Sequence, residues 1–351
     1  MPDLKSDKES LHVLMVTNYV EAKKRSPWFG IFVDRQVASL KQAGVRISTF
    51  DIGASHSPID VLSKWFELRR EVRRVAPDLV HGQYGSVVGI VAASAGKPTV
   101  VSYCGSDLLR GSAVSLRKLF SILLSNIAAL RADGLICKSE QLRQALWWRK
   151  NRAVVIPNGI DFNLFVPGPQ REAREKLGWN QESPIDIVNA GDDAKRKGID
   201  LAQASMRVVR SYLPNAELIV ISNVDPARMP LFYQAADVAL CCSIAEGSPN
   251  MVKEALACNL PVVSTPVGDV PERLTGVYPS SIVSRDPKEF GKAIVNILRT
   301  RQRSNGREKV IHLSLEEAAH RILTMYRSVL REGSGNSGSI VASVKPSSWL
   351  F

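Results

Sequence analysis

Two carboxylates, Glu246 and Glu254, bracket a segment whose residue types suit a helix start. Ser248 fits the cap, Pro249 the first helical position, and Asn259 the stop after Cys258. The first turn of such a helix leaves backbone N–H groups free at the positive end of the helix dipole, so Gly247 to Asn250 would receive an anion without needing a metal. Glu246 falls in the preceding loop and Glu254 too far round the helix to share a face with it, so the two acids meet different parts of one ligand. A ligand with phosphate in the middle and hydroxyls at both ends, such as a nucleotide sugar, fits that division. The plainer reading is a capped core helix with two solvated acids. The flanking runs weigh against it: VALCCS leads into Glu246 and PVVSTP follows Asn259. Both acids therefore follow the carboxyl end of a strand, where ligands of open α/β sheets sit.

The elements that must hold these groups alternate along nearly the whole chain. Strand patterns lie at 11–18, 45–52, 78–83, 98–104, 134–139 and 153–159, with helical patterns around 30–43, 59–75, 85–95, 113–130 and 139–149. After Ile160 comes the Pro-containing connection DFNLFVPGPQ and a short helix near 171–179. Strands then recur at 185–190, 217–222, 238–243, 261–266 and 280–284, and helices near 287–301 and 314–331 close the series. This is an α/β chain of two doubly wound parallel sheets, divided near 157–184 into Rossmann-like domains 1–160 and 161–331 that face a cleft, the expected binding site. The Gly/Ser-rich residues 332–351 read as a flexible tail.

A length of 351 residues suits two cores, and 45% hydrophobic with 23% charged residues reads as globular. The charged start lacks an apolar signal region, and the longest nearly apolar run, Leu119 to Leu130, is too short to span a bilayer, so a cytoplasmic location is expected. Five cysteines without a CxxC pair, and five histidines in no HExxH or HxH spacing, point to reduced thiols and no metal site. No Walker A, GxSxG or GxGxxG pattern occurs. The net charge of +12 is uneven: residues 1–160 carry 23 Lys and Arg against 13 Asp and Glu, a net +10. An anionic membrane surface, a phosphate-bearing acceptor, nucleic acid, or simply a solvated basic face would account for it. Nucleic acid is the weakest of these, since no zinc-finger, RRM or helix-turn-helix pattern is present. Residues 58–78 set Leu62, Trp65, Phe66, Val72 and Val75 on one side and Arg70, Arg73 and Arg74 toward another, and residues 108–131 mix Arg110, Arg117 and Lys118 with a wide apolar face. Both are core-packing helices with a wet basic edge or, if the acceptor rides on a lipid, docking elements for the inner leaflet.

Four motifs together resemble the retaining glycosyltransferases of family 4, of the GT-B fold. They are the spacing of Glu246 and Glu254 (the EX7E element), VVIPNGIDFNLFVP between the domains, KGIDLA from Lys197 to Ala202, and ADVALCCS before the acidic loop. The resemblance covers roughly residues 11–331, and the wording around Glu246 with CGSDLL near Asp107 is most similar to bacterial enzymes of cell-surface polysaccharide assembly, including the teichuronic acid type. It implies transfer of a sugar from a nucleoside diphosphate to a hydroxyl of a glycan or lipid-linked acceptor, without a metal or further cofactor. It also implies roles: Glu254 toward the ribose hydroxyls, Glu246 toward the donor sugar, and Gly247, Ser248, Pro249 and Asn250 around the diphosphate or sugar. Lys197 would neutralise charge on the leaving diphosphate, and Gly30 would let backbone approach the donor from the opposite domain. A solvated lysine and a plain turn glycine are the competing readings of the last two.

Three departures stand out. Where relatives place an arginine before the lysine, this chain has Gly191 or Asp192, with Arg196 or Lys195 as substitutes; where many carry a histidine in HGSD, it has Cys104, whose thiol cannot reproduce an imidazole's bonds. The stretch between 217–222 and 238–243 is also short, which bears on base recognition. Asp107 has two readings, an acceptor contact in the cleft or a turn-capping acid. The first two departures motivate a rival: a non-catalytic GT-B protein that binds a nucleotide sugar or a partner glycosyltransferase. A nucleotide-sugar epimerase or phosphorylase on the same architecture is a further alternative.

Overall fold

Strands of a parallel sheet covered on both faces read as unbroken apolar runs, and β1 (His12–Thr17) is buried along its whole length. The computed structural model describes residues 10–53, 57–109, 115–189 and 193–333; the tail beyond 333, Arg110, Gly191 and Asp192 lie outside the described residues. After β1 come α1 (Val20–Arg25), α2 (Ile31–Gln42), β2 (Arg46–Asp51), α3 (Pro58–Val75), β3 (Leu79–Gln83) and α4 (Ser86–Ala93). The first unit continues with β4 (Thr99–Tyr103), α5 (Leu116–Arg131), β5 (Gly134–Cys137), α6 (Glu140–Ala145) and β6 (Ala153–Val155). All pairings are parallel, in the order β2-β1-β3-β4-β5-β6.

The second unit runs α7 (Gln170–Leu177), β7 (Ile185–Asn189), α8 (Ala194–Lys197), α9 (Ile199–Tyr212), β8 (Glu217–Ile221), α10 (Met229–Ala235) and β9 (Val238–Cys241). It ends with α11 (Asn250–Ala257), β10 (Val262–Ser264), α12 (Val270–Leu274), β11 (Ser281–Ile282), α13 (Pro287–Thr300), α14 (Gly306–Val310) and α15 (Leu315–Gly333). Its sheet is also parallel, ordered β11-β10-β9-β7-β8. The expected strands are all present. The short stretch between β8 and β9 holds the single seven-residue helix α10.

Two packing results go beyond the sequence pattern. Helix α15, placed by pattern after the second sheet, returns to the first: Ala319, Ile322, Tyr326 and Val329 pack with Val13, Met15, Leu79, Val100 and Ile136. The fully buried His81 fixes this crossing, with Nδ1 2.5 Å from Tyr326 Oη and Nε2 2.8 Å from Ser102 Oγ. Burial first, and the Lys138 charge second, hold its pKa down near 3, so the ring is neutral. On the opposite face of the first sheet, the expected apolar side of α3 splits in two. Leu68 and Val72 turn inward against Leu14, Val16 and Val80, while Ile59, Leu62 and Phe66 form a separate outward stripe.

Candidate active site

In each sheet the ligand crevice is expected where the chain reverses direction across the strand order. In the second sheet that point lies between β7 and β9, and the segments leaving those two strands carry the basic and acidic groups. The four-residue α8 follows β7, with Asp193 capping it by accepting from Arg196 N at 3.0 Å. Gly198 ends it in the left-handed region, φ 70°, and a Cβ there would lie 2.8 Å from the Cys242 carbonyl carbon and closer still to its oxygen. Only glycine lets α8 lie this close to the end of β9. Ile244 N donates to Arg196 O at 2.9 Å and joins the two segments through their backbones, while the Arg285 side chain, from beyond β11, donates to the Cys242 carbonyl.

This places three side chains on one oxygen of Glu246. Oε1 accepts from Lys197 Nζ at 2.7 Å, Ser243 Oγ at 2.8 Å and Arg196 Nη1 at 3.1 Å. Burial alone raises the Glu246 carboxyl; the Lys197 and Arg196 charges and the hydrogen bonds from Lys197 and Ser243 together outweigh it, leaving the pKa below its ordinary value. Glu246, Lys197 and Arg196 together carry one surplus positive charge, offset by Asp193, whose Oδ2 lies 3.6 Å from Arg196 Nε. Such a group both binds an anion and withstands its arrival, because two unit charges at 4 Å interact by about 4 kcal/mol at an effective dielectric of 20.

The helix after Glu246 begins one residue later than expected. Pro249 is the cap, Asn250 the first helical residue, and no side chain caps the turn. The reason lies in the Ser248 hydroxyl, which instead donates to Asp269 Oδ2 at 2.9 Å and accepts from the buried Lys253 Nζ at 3.0 Å. The first-turn N–H groups are thus not taken by a cap. The stop at Asn259 is as expected: it adopts φ 55°, and its Oδ1 accepts from Arg307 N at 2.9 Å.

Glu254, 14% exposed, faces the first unit. Its Oε1 accepts from Arg35 Nη1 at 2.8 Å and its Oε2 from Tyr233 Oη at 3.1 Å. Arg35 belongs to α2 and sits one turn beyond Gly30, the left-handed residue that starts that helix. A Cβ at Gly30 would press on the Tyr19 ring at 2.9 Å, so this corner admits no side chain. Neither Arg35 nor Tyr233 stands out in sequence. The one local signal for Arg35 is its place a turn after Gly30.

The two units meet where Cys104 and Gly105 approach Gly247: a Cβ on Gly247 would lie 2.9 Å from the Cys104 carbonyl carbon. Gly268 N donates across the same junction to Gln141 Oε1 at 3.0 Å. The Cys104 thiol is pushed up to about 12 by burial and then by Asp107, so it stays protonated at neutral pH. Asp107 takes the second of its two readings. It is fully buried and accepts from the N–H groups of Gly85, Cys104 and Gly105 at 2.7 to 3.1 Å, and burial raises its pKa despite those bonds. That geometry corrects the expectation of an acceptor contact: Asp107 shapes the turn from within. The polar groups on this side are Tyr84, whose hydroxyl is 2.6 Å from Ser106 Oγ, and Lys118, which donates to the Ser106 carbonyl. Tyr84 (φ 125°) and Ser86 (φ 52°) hold strained backbone at the end of β3.

Comparisons with known proteins agree with this architecture. Residues 25–164 match the model of Glycosyltransferase Family 4 and residues 178–300 that of Glycosyl transferases group 1. The chain is 28% identical to a D-inositol 3-phosphate glycosyltransferase of Segniliparus rotundus over 51% of its own length and 48% of the relative's, spanning about half of that protein. It is 24% identical to TuaC of Bacillus subtilis, provisionally named a teichuronic acid biosynthesis glycosyltransferase, over 74% of this chain and 82% of TuaC. The structure of Anabaena Alr3699/HepE in complex with UDP superposes with a TM-score of 0.69 at 16% identity, covering 91% of this chain and all of that one, which shows a shared fold. With a glycosyltransferase model matching each half and a parallel sheet in each, the chain is a glycosyltransferase of the GT-B fold.

Proposed function

We propose that the protein transfers a hexose-type sugar, with retention, from a nucleoside diphosphate to a hydroxyl of a glycan or lipid-linked acceptor in cell-surface polysaccharide assembly. The observation that carries the reading is the convergence of Lys197, Arg196 and Ser243 on Glu246, beside an uncapped helix start at the switch point of the second sheet. In this reading the diphosphate lies between the two cations and the first turn of α11, the donor sugar meets Glu246, and the ribose meets Glu254. Lys197 and Arg196 supply positive charge for the leaving group, which supports transfer without a metal or a cofactor beyond the donor.

With no free nucleophile beside the trio among the described residues, a front-face displacement fits best. The sugar C1–O bond to the β-phosphate breaks, the acceptor oxygen bonds to the same face of C1, and its proton passes to the departing phosphate oxygen. Lys197 and Arg196 stabilise the charge that develops on that oxygen. The acceptor side is the rim formed by Tyr84, Ser106 and Lys118. TuaC's name and the UDP in the HepE complex support a uridine nucleotide and a polysaccharide acceptor.

A lipid-linked acceptor at the inner face of the membrane is supported by two exposed stripes on one face of the first unit. Ile59, Leu62 and Phe66 lie in the first half of α3, and Leu116, Phe120 and Leu123 in the first half of α5. Arg117 and Lys118 lie within the second of these. No helix among the described residues is long and apolar enough to cross a membrane.

The test is transfer, or donor hydrolysis, in Glu246→Gln and Lys197→Ala. A fall of roughly 10²-fold or more in both is expected, as for removal of a charge-stabilising group. Donor binding without turnover across glycan and lipid-linked acceptors would instead favour the non-catalytic rival.

A further inference from the structure

The acid read as the ribose contact is not held by its own unit alone. Glu254 sits on α11, yet one of its two hydrogen bonds comes from Arg35 on α2, 219 residues away across the cleft. The guanidinium is itself held: it lies over the Phe165 ring at 5.2 Å, and Phe165 tilts against Tyr233 at 6.0 Å, so the two donors to Glu254 share one aromatic support. Both Arg35 and Glu254 are about 15% exposed. Each is therefore set by packing in addition to charge.

A carboxylate has about four lone-pair positions, two on each oxygen. Arg35 takes one on Oε1 and Tyr233 one on Oε2. The plane of the group is then fixed from both sides, and one acceptor position remains on each oxygen. Two adjacent acceptor positions held at fixed spacing match a vicinal diol, which donates from two neighbouring hydroxyls.

We propose that Arg35 is a positioning residue for the nucleotide's ribose: together with Tyr233 it orients Glu254 to receive the 2′- and 3′-hydroxyls, and because it comes from the opposite unit, ribose recognition requires the two units to be in contact. Arg35 makes no contact with the reacting atoms and acts through Glu254. This rests on the reading of Glu254 as the ribose acid, and the experiment separates the two. The first unit then contributes to donor binding through α2, the same helix whose Gln36 meets Lys138 and whose Ser39 donates to Leu315 O.

The probes are the matched pairs UDP and dUDP, GDP and dGDP, and ADP and dADP, titrated calorimetrically into the full chain, with the pair whose ribonucleotide binds tightest carried forward. Wild type should prefer the ribonucleotide by at least about tenfold, the scale of one hydrogen bond to a charged acceptor. Glu254→Gln should lower that preference to below about threefold, and Arg35→Met and Tyr233→Phe should each lower it in the same direction while their thermal unfolding stays cooperative. A merely structural Arg35 would weaken both members of the pair alike and leave the ratio at the wild-type value. If Glu254→Gln flattens the preference and Arg35→Met does not, or if Arg35→Met binds the ribonucleotide more tightly, the positioning role is overturned and the ribose reading survives. If Glu254→Gln retains the full preference, or no pair binds, both fall.

Discussion

Gly198→Ala tests how the site is built with a single methyl group. The native residue has φ 70°, and a Cβ there would lie 2.8 Å from the Cys242 carbonyl carbon. Ordinary carbon contacts are about 3.5–4.0 Å, so the α8 to α9 turn must retreat by on the order of 1 Å. The left-handed backbone costs an alanine about 1–2 kcal/mol and the overpacking about 1–3 kcal/mol. Together these predict a loss of roughly 2–5 kcal/mol, seen as a fall in Tm of about 4–20 °C. The larger effect is on chemistry. Lys197 immediately precedes this residue, and a displacement near 1 Å moves its ammonium out of the 2.7 Å contact with Glu246. Misplacement on that scale costs about 10²-fold in rate. The control is Gly178→Ala: Gly178 also has positive φ, 67°, but nothing lies within 4 Å of its would-be Cβ. It should lose about 1–2 kcal/mol and no activity. Steady-state transfer and thermal unfolding on both variants decide the matter. A Gly198→Ala enzyme within threefold of the wild-type rate would refute the claim that backbone contact between α8 and β9 sets the cation's position.

Three further outcomes follow from the same geometry. Asp186 on β7 is fully buried with both carboxylate oxygens unpartnered among the described residues, and burial, then Asp237, raises its pKa well above the usual range. The folded form therefore binds a proton that the unfolded form gives up, so its contribution falls as pH climbs from about 4 toward the folded pKa; Asp186→Asn should raise stability at pH 8 by about 1–3 kcal/mol and little at pH 4, read by denaturant unfolding at the two pH values. Cys104 remains protonated through neutral pH, so Cys104→Ala should keep transfer within about threefold of wild type between pH 6 and 9, since loss of the thiol removes little beyond packing; a wild-type pH dependence in that range that disappears in the variant would show that the thiol titrates in the reaction. Sedimentation with vesicles containing anionic lipid at moderate salt should retain the protein, and Phe66→Ser with Phe120→Ser should release it, each apolar contact contributing about 1.5–3 kcal/mol; equal retention on neutral vesicles would count against charge-assisted docking.

The parallel sheets were legible because their strands are short apolar runs bounded by turn residues, as in VLMV of β1 or VALC of β9. Glu246, Glu254 and Lys197 were legible because each follows a strand end within its own local unit. What sequence could not supply was the partner of each group. Amphipathic spacing gives α15 an apolar face and says nothing about which sheet that face meets. Arg35 is an ordinary helical arginine until the fold sets it beside a residue 219 positions later. Ser248 reads as a cap because serine caps helices, but Lys253 and Asp269 compete for its hydroxyl and win. Asp107 had two readings, and the three N–H groups that converge on it decide for the turn.

The central claim is that Lys197 and Arg196, balanced by Glu246, form the seat of the donor's diphosphate. The most direct measurement is the affinity of a nucleoside diphosphate relative to its monophosphate, in wild type and in Lys197→Ala, under one salt concentration. Wild type should favour the diphosphate by at least about tenfold, the worth of one charge-assisted contact, and Lys197→Ala should bring the two affinities close together. An undiminished preference in Lys197→Ala would place the second phosphate elsewhere and contradict the account.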